Sequence, residues 1–166
     1  MVFDEYQVVV DDRWHPVLEK TKDIYFEGLC DEYDDTPQLD YMIQAAQIFI
    51  RSYKLHRMAE EYFYVISLSN DWKVKGIYQL GHGTSTEVRT SMRGLFIFLL
   101  LSGADSFIVV HNHVCGGLEP SPEDLEATER IQQSAALLEL EFLAHYIVSE
   151  DGWYEIISEE RNEFKK

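Results

Sequence analysis

The segment that most restricts the fold is Phe107-Ile108-Val109-Val110, an unbroken apolar run that ends directly on His111-Asn112-His113. A run this short, rich in β-branched residues and without polar alternation, reads as a strand buried on both faces. Such a strand lies in the middle of a sheet, so its neighbours in sequence must supply further strands and covering helices. Glu61 to Leu68 reads as a buried strand, Asn70-Asp71 as a turn and Lys73 to Leu80 as its hairpin partner. After a loop at Gly81-His82-Gly83-Thr84, the residues Val88, Met92, Leu95, Phe96, Leu99 and Leu100 mark one face of a helix ending near Gly103. Beyond the central run, a loop over Leu118 to Pro120 leads to a helix from Ser121, with Leu125, Thr128, Ile131, Ala135 and Leu138 on its inward side. Phe142 to Val148 and Trp153 to Ile157 follow as strands around an Asp151-Gly152 turn. Upstream, Thr36-Pro37 offers a cap for a helix from Gln38 to about Met58. This order predicts an α/β (α+β) domain, a mixed sheet flanked by helices.

The chain of 166 residues is the size of one domain, because chains rarely form two cores until well past about 200 residues. Hydrophobic residues make up 46%, enough for a packed core and far from the composition of a disordered chain. The first forty residues hold twelve acids against three bases, a net −9 out of the chain's −16. We therefore divide the chain into an acidic accessory segment over residues 1–37, a main domain over 38–158 and a tail over 159–166, with Val8-Val9-Val10 and Ile24-Tyr25-Phe26 as short strands of the first. A field of this sign repels phosphate backbones, so direct nucleic-acid binding is not expected. Two cysteines and an N-terminus without a basic start or apolar run predict a reducing, cytoplasmic setting. The longest apolar stretch, Leu95 to Leu101, is about a third of a membrane span.

Side chains two apart on a strand share a face, so His111 and His113 project together while Asn112 turns away. Two imidazoles so placed can share a cation. Asp124 lies eleven positions after His113, past Gly116-Gly117, in the first turn of the helix that starts at Ser121. A helix start folded back on the strand end presents that carboxylate as a third ligand, leaving water as the fourth ligand of one tetrahedral zinc, the open arrangement of catalytic sites. Ser121-Pro122-Glu123-Asp124 also satisfies a capping pattern, with proline at the first helical position, and capping alone explains that acid. Spacing leaves both readings open, and the two roles draw on one carboxylate.

The stretch from His111 to Asp124 resembles the HNHPSG…PS..D signature of the RadC family, a bacterial branch of the JAB/MPN (JAMM) metalloprotease fold. Its histidine, asparagine, glycine, proline, serine and aspartate spacings match without a gap, and the similarity runs from about Glu61 to Tyr154, including Gly83-Thr84, Arg93, Thr128 and His145. The resemblance implies a JAB/MPN-like, cytidine-deaminase-like mixed sheet in which His111, His113 and Asp124 hold zinc. It implies that Ser121 helps to polarise a substrate carbonyl, and that the acid fifty positions before His111, Glu61, is the general base, with Glu60 as its neighbouring alternative. Val114 and Cys115 depart from the family's proline and serine; Cys115 is a candidate for the surroundings of the site or for a fourth ligand, and His145 for a partner behind a ligand. His82, between glycines, reads as an exposed loop histidine. The acidic segment stands where longer family members carry a helix-hairpin-helix domain.

The activity implied is a zinc-dependent metallopeptidase or isopeptidase in which activated water attacks an amide carbonyl of a peptide or isopeptide substrate. Its alternatives are a non-catalytic zinc-binding interaction module and an accessory role in DNA repair or recombination, the last suggested only by the family name. The nucleoside deaminases, a related zinc fold, are disfavoured because their H-x-E and P-C-x-x-C elements are absent. The sequence leaves substrate and oligomeric state open.

Overall fold

The computed structural model describes residues 2–26, 42–84, 90–114 and 117–163. Within them, the elements in chain order are β1 (Val2–Val10), β2 (Pro16–Tyr25), α1 (Ile43–Arg51), a 3-10 turn (Leu55–Arg57), β3 (Tyr62–Leu68), β4 (Val74–His82), α2 (Met92–Leu101), β5 (Ser106–Asn112), α3 (Pro122–Leu137), β6 (Glu141–Ser149), β7 (Gly152–Glu155) and β8 (Arg161–Glu163). The strands form one eight-stranded mixed sheet in the order β2-β1-β4-β3-β5-β6-β7-β8. The β3–β4 hairpin, the central position of β5 and the paired strands near the C-terminus stand as the hydrophobic pattern predicts.

Strand alternation divides the core into two layers. Tyr64, Ile66 and Leu68 of β3, with Ile108 and Val110 of β5, face α1 and its Ala45, Ile48 and Phe49. Phe63, Val65, Phe107 and Val109 face the opposite way, onto Leu95, Phe98 and Leu99 of α2 and Ile131 and Ala135 of α3. Every residue of β5 is buried, as expected of a strand covered on both sides.

Three helices differ from their sequence readings. The first stops at Arg51, and Lys54 takes a left-handed conformation, φ 52°. The stop drops Leu55 into the core and lets the Tyr53 hydroxyl donate to Glu5 Oε2 of β1 at 2.5 Å. The expected start of this helix, Thr36 to Asp40, lies outside the described residues, as does Val88. On α2, Phe98 is buried where Leu100 was expected and Leu100 is exposed. On α3, Leu125 and Leu138 point outward at 50% and 41% exposure, because Thr128, Ile131 and Ala135 take the inward stripe that begins at Asp124.

The acidic N-terminal strands extend the same sheet. β1 pairs with β2 along its length and with β4 in parallel at Glu5–Ile77 and Tyr6–Tyr78, and Phe3, Ile24 and Phe26 join the α1-side core. At the other edge Arg161–Glu163, expected as part of the tail over 159–166, pairs with β7, and Arg161 bonds Glu119 at 3.0 Å. None of the helices among the described residues is long and apolar enough to cross a membrane.

Candidate metal centre

Topology brings three distant stretches to one place. β5 and β6 run parallel with α3 as their crossover, so the start of α3 returns to the C-terminal end of β5. β3 runs antiparallel to β5, so its start lies at that same end. The β3–β5 pairing ends at Phe63–His111, and Glu61, two residues before Phe63, lies close enough to His111, His113 and Asp124 to feel their charges.

His111, His113 and Asp124 each offer a ligand atom, and these atoms lie within 4.8 Å of one another. His111 Nε2 is 3.2 Å from His113 Nε2 and 3.2 Å from Asp124 Oδ1, and His113 Nε2 is 3.2 Å from Asp124 Oδ2. Among the described residues, this is the group of three or more such side chains suited to a metal ion. Phe63 stacks on the His111 ring at a centroid distance of 5.5 Å, fixing its plane from the α2 side.

Ser121 is the N-cap of α3 and forms a complete capping box. Its Oγ accepts from Asp124 N at 3.1 Å, while its N–H and Oγ–H both donate to Asp124 Oδ2, at 2.8 and 2.7 Å. Capping and metal approach therefore do not exclude each other: Oδ2 closes the cap, and Oδ1 faces His111. Burial works to raise the Asp124 pKa, but the hydrogen bonds from His111, His113 and Ser121 outweigh it and hold the carboxylate far below its usual range.

Asn112, whose functional part sequence reasoning missed, points to the other side of the strand. Its side chain accepts from Tyr62 N at 2.8 Å and donates to Glu60 O at 3.0 Å, gripping the backbone on both sides of Glu61. The Glu61 carboxyl is pushed up by burial, an effect reduced by the neighbouring His111 and His113 and reinforced by Asp124. Glu60 turns the opposite way and meets His82 Nε2 at 2.6 Å, with His82 stacked on Tyr62. The pleat thus separates the two candidate glutamates, and His82 belongs with Glu60.

His145 lies behind His111. It is fully buried, its Nε2 is 2.9 Å from His111 Nδ1, and its Nδ1 is 2.7 Å from Thr128 Oγ1. Burial, with His111 adding to it, drives its pKa well below the usual histidine value. Its backbone is held by Glu155, whose buried carboxylate accepts from the N–H groups of His145, Ile157 and Ser158. Thr128 carried one sequence signal, a polar residue on an otherwise apolar stripe one turn after Asp124. Cys115 lies outside the described residues.

The model of the RadC-like JAB domain matches residues 41–162. The chain belongs to this family. Among its relatives, UPF0758 protein sll0766 of Synechocystis sp. is 36% identical over 105 residues, 63% of this chain and 43% of the relative. A UPF0758 protein of Flavobacterium johnsoniae is 32% identical over 102 residues, 61% of this chain and 44% of the relative. UPF0758 protein A1S_2918 of Acinetobacter baumannii is 27% identical over 123 residues, 69% of this chain and 52% of the relative. The chain spans about half or less of the length of these RadC-family relatives. The matched family region begins after the β1–β2 hairpin.

Proposed function

We propose that this protein is a zinc-dependent hydrolase of amide bonds in peptide or isopeptide substrates, acting in the cytoplasm. The observation that carries the reading is the convergence of His111 and His113, whose Nε2 atoms lie 3.2 Å apart, on the two oxygens of Asp124, Oδ1 at 3.2 Å from the first and Oδ2 at 3.2 Å from the second. Ligands bonded to zinc at about 2.0–2.1 Å on a tetrahedron lie about 3.3 Å apart, so the two imidazole nitrogens suit that ion, and with one carboxylate oxygen of Asp124 beside them one position is left for water. The donor chemistry agrees: two imidazole nitrogens and a carboxylate converge, the kind of donor set that zinc takes in open, catalytic sites. Bound zinc would lower the pKa of its water to about 7 and polarise a carbonyl.

The chain's own residues supply the remaining steps. Glu61, within range of His111, His113 and Asp124, accepts the proton of the attacking water and returns it to the leaving nitrogen. A carboxyl pushed up by burial suits this exchange, because it holds a proton more readily than an exposed glutamate. Asn112 keeps Glu61 at the strand end through the backbone of its two neighbours. Ser121 steadies Asp124, and its hydroxyl turns to the oxygen of the attacked carbonyl as charge grows there.

The test is metal content and turnover on one preparation. Protein purified without added metal and then exposed to zinc should retain about one equivalent and cleave members of a peptide and isopeptide library. Glu61→Gln should keep the zinc and lose turnover. Retention below about a tenth of an equivalent overturns the reading. Full zinc with no turnover across the library favours a non-catalytic zinc-binding module.

A further inference from the structure

The turn between β1 and β2 holds a large apolar side chain in solvent. Trp14 is 82% exposed and takes a left-handed conformation, φ 63°, which glycine adopts freely and a bulky residue does not. The turn that presents it is well tied. Trp14 N donates to Asp11 O and Asp11 N to His15 O, both at 2.9 Å, and Asp11 Oδ1 accepts from Arg13 N and His15 N at 2.8 and 2.9 Å. The β3–β4 turn offers a comparison within the molecule. Trp72 occupies the same place in the same pair of backbone bonds, with φ 60°, yet it is partly buried. Packing of the ring offsets the strain at Trp72, whereas Trp14 turns its ring to solvent. Val10, 56% exposed, and its exposed strand partner Pro16 continue the apolar tip.

Topology aims this tip at the edge of the sheet that carries the candidate metal centre. β1 runs parallel to β4, and β4 and β5 both run antiparallel to β3, so the C-terminal ends of β1, β4 and β5 share one edge. Three to four strand spacings of about 4.8 Å separate the tip from His111, roughly 15–20 Å, or about five residues of extended chain.

Charge selects the occupant. Lys20 is held by Asp4 and Asp23 at 2.8 and 2.6 Å and Lys22 by Glu5 at 3.3 Å, while two acids, Asp11 and Asp12, stand against Arg13 in the turn itself. An indole face with carboxylates in the same turn suits a lysine or arginine side chain, and a net charge of −16 on each chain opposes a second copy. We propose that Trp14 is the docking anchor for a positively charged, extended polypeptide segment, an outlying part of the chain that enters the site. The docking stands on the hairpin alone; that the docked segment is also cleaved rests on the hydrolase reading above.

The test uses the full chain without metal. Fluorescein-labelled peptides of about twelve residues, one set rich in lysine and arginine and a matched set rich in glutamate, are titrated by anisotropy against the wild type, Trp14→Gly and Trp14→Tyr. The basic set should bind the wild type, more weakly as salt rises, and the acidic set should not. Trp14→Gly should weaken that binding about 3–30-fold and Trp14→Tyr less. Because glycine suits φ 63°, Trp14→Gly should melt no lower than the wild type, so that lost binding is not lost fold. Basic peptides that fail to bind, or that bind Trp14→Gly equally, overturn the proposal. So does a Trp14→Gly protein that melts well below the wild type, which would give the ring a structural task, or self-association that Trp14→Gly abolishes in sedimentation, which would give the tip to a second copy. With zinc restored, substrates carrying a basic residue about five positions from the cleaved bond should show a raised KM and an unchanged kcat in Trp14→Gly; an unmoved KM separates the docked segment from the substrate. If the peptides dock through Trp14 but no zinc is held and nothing is cleaved, the hydrolase reading fails and the docking anchor stands.

Discussion

Asn112 completes the ladder between β5 and β3 with its side chain, accepting from Tyr62 N and donating to Glu60 O where strand pairing stops at Phe63–His111. Asn112 is 0% exposed, so neither bond has a water substitute at hand. Its location between two histidines on the opposite face means that one tripeptide both presents the candidate metal ligands and anchors the segment holding Glu61.

Asn112→Ala should therefore cost about 1–3 kcal/mol, the penalty for burying an unpaired donor and acceptor. At about 2–4 °C per kcal/mol for a domain of this size, the melting temperature should fall by about 2–12 °C. Asn112→Asp keeps the acceptor for Tyr62 and loses the donor to Glu60, so it should also melt below wild type. Calorimetry of the two variants checks this, and an unchanged melting temperature in both would show that the grip contributes nothing.

Glu61 yields a pH dependence with a definite sign. Its folded pKa is raised, so in the window between the ordinary glutamate value of about 4.3 and the higher folded value the native state binds more protons than the unfolded one. Stability then falls as pH rises through that window, and ionised Glu61 destabilises metal-free protein at neutral pH. Glu61→Gln should melt at the same or a higher temperature than wild type at pH 7 without metal, the difference vanishing below about pH 4. Thermal melts across pH 4–8 in chelator check it; a metal-free Glu61→Gln protein less stable at neutral pH would contradict the raised pKa.

The Tyr53–Glu5 bond ties the acidic hairpin to the end of α1. Tyr53→Phe removes the hydroxyl that donates to Glu5 Oε2, leaving Lys22 Nζ at 3.3 Å from Oε1 and Thr21 Oγ1 at 3.5 Å among the described residues. Hydrogen bonds to a charged group contribute about 1.5–3 kcal/mol, so the variant should lose about that much in a urea titration, with an unchanged m-value. A changed m-value would mean that the hairpin unfolds separately from the rest of the sheet.

What was legible in the sequence is what local periodicity encodes. The two-residue period put His111 and His113 on one face and separated Glu61 from Glu60, and the run of apolar residues at 107–110 announced a strand covered on both sides. The parallel pairing of β1 with β4 was not legible, because it joins segments some seventy residues apart by backbone bonds that leave no mark on side-chain pattern. Asn112 and Thr128 escaped functional assignment for a related reason. Each acts on the backbone or ring of a residue distant in sequence, and a polar residue inside an apolar pattern signals only that some partner exists. Leu125 and Leu138 were misplaced because apolar spacing alone does not set a helix's rotation, whereas the return of Asp124 to the strand end does.

Asp124 serves two masters, the α3 cap and the candidate metal site, and Asp124→Asn separates them. An asparagine oxygen can still accept from Ser121 N and Oγ, and its amide nitrogen can take the place of Oδ1 and donate to His111 Nε2 in the ring's neutral Nδ1–H form, so the metal-free variant should fold and melt within about 1 kcal/mol of wild type. It loses the anionic ligand. Zinc at a hundred times its dissociation constant stabilises the native state by about 2.7 kcal/mol, so the wild type should melt about 5–10 °C higher with zinc than in chelator. Asp124→Asn should show little or none of that rise. A variant that melts far below wild type without metal would place the carboxylate's main work in the cap; one that keeps the full zinc-induced rise would remove Asp124 from the ligand set.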